Sequence, residues 1–177
     1  MITEFTGELS GNGLKIAVVV SRFNLDITSK LLQGTKEALC ESGVRDKDVT
    51  VVWVPGSFEI PLAAQKLATS HNYDSVICLG AVIKGETDHY HYISTETARG
   101  ISEISISTQI PIIFGVLTTD TFEQALERAG GNSTGHSTKP RVVDKSQQNY
   151  KDHGNTGYNA GEVAVEMANL IKLLDRS

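Results

Sequence analysis

Cysteine, aromatic residues and clustered basic charge are all scarce in this chain, and the shortages exclude whole classes of protein. Only two cysteines occur in 177 residues, Cys40 and Cys78. Neither belongs to a CxxC or metal-like spacing, so a cysteine-rich metal site is excluded. Both sit in apolar context and read as buried free thiols in a reducing compartment, though two cysteines can in principle pair. Aromatic content is 6% and the net charge is −5. No run of Lys and Arg interrupts that acidic balance, which argues against nucleic acid as the main partner. The longest apolar stretch is far short of a membrane span. The N-terminus lacks the basic and apolar regions of a secretory signal. No Walker A loop, GxGxxG fingerprint or Gly-x-Ser-x-Gly elbow is present. A soluble, cytoplasmic protein is expected, without a membrane or nucleic-acid partner.

What is present is ordinary for a globular chain: 40% hydrophobic and 21% charged residues. That is enough to bury a core, and the length suits a single domain over 1–177. Short apolar runs alternate with longer amphipathic ones. Lys15–Val20, Val49–Val54, Ser75–Leu79 and Ile112–Leu117 read as strands, the first two buried on both faces. Between them, Ile27–Ser42, Ile60–Ser70 and a stretch ending near Thr108 read as helices. Ile27, Leu31, Ala38 and Leu39 mark the inner face of the first. Ala64 and Leu67 do so for the second, and Ile93, Thr97, Ile101 and Ile104 for the third. Thr121-Phe-Glu-Gln124 matches a capping box and opens a helix to about Ala129. Ala160–Asp175 is expected to bury Val163, Met167, Leu170, Ile171 and Leu174. This order predicts a three-layer α/β/α sandwich around a four-stranded parallel sheet.

Two segments stand outside that alternation. Residues 1–13 suit a short edge strand or an arm on a neighbouring subunit. About 131–156 is a long polar loop, which is unusual inside a compact domain and is either functional or a mobile surface excursion.

In an open parallel sheet, ligands sit outside the carboxyl ends of the strands. There the pattern brings together Phe23, Ser57-Phe58-Glu59 and the stretch Leu79–Tyr92. That last stretch turns through Gly80 and Gly85 into a helix start carrying His89 and His91. Gly85 and the helix N-terminus suit an anion. His89 is either a cap or surface residue or a group that moves protons near neutral pH. Phe23 is either core or a platform for a flat ligand. His89 and His91 point apart and lack a third ligand, so no metal is expected. The set suits an aromatic ligand with hydroxyls, a phosphorylated partner and one general acid/base.

Several blocks together carry a resemblance. They are Ser21-Arg-Phe-Asn24, Trp53-Val-Pro-Gly-Ser-Phe-Glu-Ile60, Gly80-Ala-Val-Ile-Lys-Gly-Glu-Thr-Asp-His89, Phe114-Gly-Val-Leu-Thr-Thr119, Glu127-Arg-Ala-Gly130 and Val165-Glu-Met-Ala-Asn-Leu170. In this order they resemble the 6,7-dimethyl-8-ribityllumazine synthase family, from about Leu14 to Leu174. The resemblance implies a flavodoxin-like fold and a transferase of riboflavin biosynthesis, acting at its penultimate step. The reaction condenses 5-amino-6-(D-ribitylamino)uracil with 3,4-dihydroxy-2-butanone 4-phosphate, without cofactor or metal.

By that resemblance Phe23 stacks on the pyrimidine. Ser57, Phe58 and Glu59 contact the ribitylaminouracil, with Glu59 accepting from ribityl hydroxyls. Ala81, Val82 and Ile83 line the same pocket. Glu86 and Thr87 hold the phosphate through backbone N–H groups and the Thr87 hydroxyl. Arg128 supplies a fixed cation, and His89 is the general acid/base. Phe114 reaches the pocket of a neighbouring subunit. The family assembles as pentamers, in some members closed into an icosahedral shell. The alternatives are a non-catalytic lumazine- or flavin-binding relative and a structural container.

The chain departs from the family pattern in three places. His91 stands where an acid is usual. Thr156, in Gly154-Asn-Thr-Gly157, stands where a lysine is usual. The residues from about Gly131 to His153 are additional.

Overall fold

Runs of β-branched and other apolar residues form four parallel strands: β1 (Ile16–Ser21), β2 (Val49–Val54), β3 (Ser75–Ile83) and β4 (Ile112–Thr119). A computed structural model of the chain describes residues 2–131 and 153–177. The strands lie in the order β2-β1-β3-β4. Ile16 pairs with both Val49 and Ser75, and Val76 pairs with Ile112. Every residue of β1 is buried, as its unbroken apolar run requires of a central strand covered on both faces.

The helices are α1 (Leu25–Glu41), α2 (Ile60–Ala68), α3 (His89–Thr108), α4 (Phe122–Arg128) and α5 (Thr156–Leu174). They divide between the two faces of the sheet. One core joins Val18, Val20, Ile77 and Leu79 to α1, α4 and α5 through Ile27, Leu31, Ala125 and Ala164. The other joins Val19, Val76 and Cys78 to α2 and α3 through Ile60, Ala64, Ile101 and Ile104. This is the flavodoxin-like arrangement that the alternating pattern predicts, and its strand order reverses between β1 and β3.

The structure corrects several expectations. β3 continues through Gly80 to Ile83, and Gly80 does not turn the chain. A Cβ at Gly80 would stand 2.7 Å from Ser57 Oγ, so the glycine lets the loop after β2 close onto β3. At Gly85 a side chain would meet open space. Helix α5 begins four residues early, and its buried face is Gly157, Ala160, Gly161, Ala164, Val165 and Ala168. The larger residues Val163, Met167, Leu170 and Ile171 are only half-buried, and Leu174 is exposed. Close approach to α1 explains the choice: a Cβ at Gly157 would stand 1.9 Å from Leu31 O, so only small residues fit this contact. The Tyr158 hydroxyl donates to Glu41 across the same pair at 2.6 Å. That bond, with some burial, pushes its phenol pKa up to about 12.

Cys78 is buried and its thiol pKa is raised by desolvation, whereas Cys40 is exposed on α1 and not in the core. No pair of cysteines is bonded. Residues 2–13 form no strand. The Asn169 side chain on α5 donates to the carbonyls of Glu8 and Ser10. Most of the polar stretch expected as a loop, residues 132–152, lies outside the described residues.

Candidate active site

The strand ends build the site from β1 outward. After β1, Asn24 adopts a left-handed conformation with φ 58°, which asparagine tolerates better than most residues. Its side-chain amide donates to Ala81 O on β3 at 2.9 Å. Phe23 N donates to Pro55 O at 3.1 Å, and Arg22 N to Val54 O at 2.8 Å. The loop after β1 is therefore tied both to the end of β2 with its loop and to strand β3. Phe23 is held at the rim with 68% of its surface exposed, so it is not core.

After β2, residues Ser57–Glu59 form a 3-10 turn that runs directly into α2. Thr97 on α3 donates to Ser57 O at 3.2 Å and fixes that turn from below. After β3, Lys84 N donates to Thr119 O at 2.9 Å and carries the strand pairing one residue further. The loop then reaches α3, of which His89 is the first residue.

These segments surround one cavity of about 660 Å³. Phe23, Ser57, Phe58 and Glu59 line it from β1 and β2. Ala81, Val82, Ile83, Thr87 and His89 line it from β3 and α3. Tyr90 and Tyr92, which the sequence pattern gave no role, also line it, as does Ile93, expected only on the inner face of the helix. For Tyr92 and Ile93 the signal is the helical spacing from His89, in which residues three and four positions on share its face; Tyr90, one position on, has no such signal. Tyr92 is 67% exposed at the mouth. The cavity is thus mainly apolar and aromatic, with one carboxylate, one imidazole and two hydroxyl side chains from Ser57 and Thr87 besides the tyrosines. Among the described residues, no lysine or arginine lines it.

Three of the expected site residues are not in this cavity. Glu86 belongs to the loop but does not line it. Arg128 ends α4 on the opposite layer of the sheet, and its guanidinium donates to Gln124 O at 3.2 Å. Phe114 is on the edge strand β4, 44% exposed, and by strand alternation shares the face of Ile112 and Val116. His89 makes no side-chain hydrogen bond or ion pair among the described residues, and His91 beside it packs edge-on to Tyr90 at 5.3 Å. Among the described residues, no group of three or more His, Cys, Asp and Glu is placed to hold a metal ion.

A parallel α/β sheet with an aromatic, imidazole-bearing cavity at the point where its strand order reverses defines a class: small-molecule enzymes that bind a flat ligand over the strand ends. The sequence profile of 6,7-dimethyl-8-ribityllumazine synthase matches residues 13–172, which is most of the chain. The chain belongs to the 6,7-dimethyl-8-ribityllumazine synthase family. It is a transferase of riboflavin biosynthesis, and its reaction condenses ribitylaminouracil with dihydroxybutanone phosphate to the lumazine. Small-molecule substrates and assembly from several copies follow for it as for the family.

Proposed function

We propose that both substrates of this condensation meet in the cavity over β1, β2 and β3, and that a neighbouring copy completes it. The supporting observation is the convergence of Phe23, Ser57, Glu59 and His89 on one cavity that no lysine or arginine lines among the described residues. A phosphorylated substrate needs a cation. Arg128 is the family's candidate, and it lies on the other layer of its own chain. An arginine from the adjacent subunit resolves the mismatch, and Phe114 on the exposed edge strand is carried to the neighbour in the same way.

In this reading the pyrimidine stacks on Phe23 and is bordered by Phe58. The ribityl chain gives its hydroxyl protons to Glu59 and meets Ser57. Ala81, Val82 and Ile83 form the apolar wall that excludes water. The phosphate sits at Thr87, against the N-terminus of α3, with Glu86 contributing its backbone N–H and Arg128 its planar fork. Thr156 offers no charge where the family has a lysine, which leaves Arg128 a larger share of that task.

Carbonyl addition by the amine and loss of phosphate both require proton movement. An imidazole can take and give a proton at neutral pH, which is the role assigned to His89. The remaining acceleration comes from holding two reactants in register. Pentameric assembly, a cytoplasmic location and a single domain over 1–177 complete the proposal. Among the described residues, no helix is long and apolar enough to cross a membrane. No observation favours the non-catalytic or container readings.

Incubating the purified protein with both substrates and following lumazine fluorescence tests the site. Formation of lumazine by the parent, lost when Phe23 and His89 are replaced together, is expected. Undiminished turnover in that double variant would place the chemistry elsewhere.

A further inference from the structure

The motif Gly154-Asn-Thr-Gly157 has no part in the cavity, yet it is the most heavily bonded junction near Arg128. Asn155 caps α5. Its side-chain oxygen accepts from Gly157 N at 2.8 Å and Tyr158 N at 3.2 Å. Its side-chain nitrogen donates to Ala129 O at 2.9 Å and Lys30 O at 3.2 Å. Both amide hydrogens and the oxygen are thus engaged, which also fixes which end of the amide is which. The backbones of Ala129 and Asn155 form an antiparallel bridge. Two glycines make the socket: a Cβ at Gly34 would stand 2.6 Å from the amide, and one at Gly130 would stand 2.9 Å from its nitrogen.

A helix as short as α4 does not hold its own end. It closes with Gly130 N donating to Glu127 O and Gly131 N to Leu126 O, a Schellman arrangement with Gly130 at φ +79°. Two residues beyond Glu127, Ala129 O is taken by Asn155. Arg128 is the residue immediately before it.

We infer that Asn155 is a positioning residue for Arg128. It locks the end of α4 to α1 and α5, so that the guanidinium is presented at a fixed place and angle to the phosphorylated substrate. This rests on the reading of Arg128 as the phosphate's cation. The role needs both donors and an acceptor in one short side chain, which asparagine alone supplies at this reach. An aspartate would keep the cap of α5 and lose both donations, leaving its second oxygen facing two carbonyls.

The test compares Asn155→Asp, Arg128→Ala and the double variant by steady-state kinetics in each substrate, with melting temperatures. Asn155→Asp is expected to raise KM for dihydroxybutanone phosphate by about tenfold, leaving kcat and KM for ribitylaminouracil within about twofold. Its melting temperature should fall, since two hydrogen bonds are lost and a charged oxygen faces two carbonyls, and the kinetics are read well below that transition. Added to Arg128→Ala it should raise that KM no further. If Arg128→Ala raises the KM and a folded Asn155→Asp does not, the positioning role is wrong and the phosphate reading stands. If Arg128→Ala leaves it unchanged, the phosphate reading itself falls and the positioning role with it. An Asn155→Asp effect spread equally over both substrates, or additive with Arg128→Ala, would reduce Asn155 to a structural cap. Should Asn155→Asp fold poorly, Asn155→Ser, which also caps a helix but cannot reach Ala129 O, is read by the same criteria.

Discussion

At the scale of single residues, His89 combines an accessible imidazole, a place at the first turn of α3 and a wall of the cavity. His89→Ala is expected to slow turnover by roughly ten- to a thousandfold, within or below the usual contribution of a general acid/base, with little change in either KM. A variant with the parent's rate would remove His89 from that role. Arg128→Ala should instead act on affinity, raising KM for the phosphorylated substrate by about 30- to 150-fold, or about 2–3 kcal/mol for charge-assisted hydrogen bonds. A rise confined to the other substrate would contradict the assignment. Much at this scale was legible in advance, because Phe23, Ser57, Glu59 and His89 follow strands and so had to converge. Tyr90 and Tyr92 were overlooked because helix boundaries near a glycine-containing loop are hard to set. With α3 begun at His89, Tyr92 falls on the face of His89 one turn on, whereas Tyr90 does not.

At the scale of elements, alternating apolar runs and helical periodicity sufficed for the order, the direction of the strands and the two-sided covering. The inner face of α5 was misjudged for a physical reason. The expectation followed side-chain size, whereas the contact with α1 is set by how closely two backbones approach, and the small residues win. Gly157→Ala should therefore destabilise the fold by about 3 kcal/mol or more, since its Cβ would strike the backbone of Leu31 rather than a flexible side chain. Denaturant midpoints measure it, and an unchanged midpoint would mean that α1 and α5 separate easily. β3 was read short for a related reason: Gly80 looked like a turn, but its hydrogen atom makes room for Ser57, a relation no local pattern reveals. Thr121 does cap α4, accepting from Gln124 N at 3.3 Å, as its sequence spacing indicates.

At the scale of the whole molecule, Arg128 and Phe114 lie outside the cavity and no lysine or arginine lines it among the described residues, so the proposed working unit is larger than one chain. Light scattering is expected to give a pentamer as the largest stable species, on the proposal that the family's turn between its last two helices borders neighbouring pentamers: this chain adds about twenty polar residues to that turn, and pinning them at an interface costs entropy. A particle of about sixty subunits would contradict this. The Ala129–Asn155 bridge holds the two ends of that stretch together, so deleting 132–152 with a short turn should leave the fold intact. The measurement closest to the central claim is subunit complementation. His89→Ala and Arg128→Ala chains, each impaired alone, are dissociated, mixed in equal amounts, reassembled and assayed for lumazine formation. If each site takes His89 from one chain and Arg128 from its neighbour, about a quarter of the sites in a randomly mixed ring carry both, and about a quarter of the parent's rate returns. A mixture no faster than the mean of its two components would show that both groups serve the same chain's site.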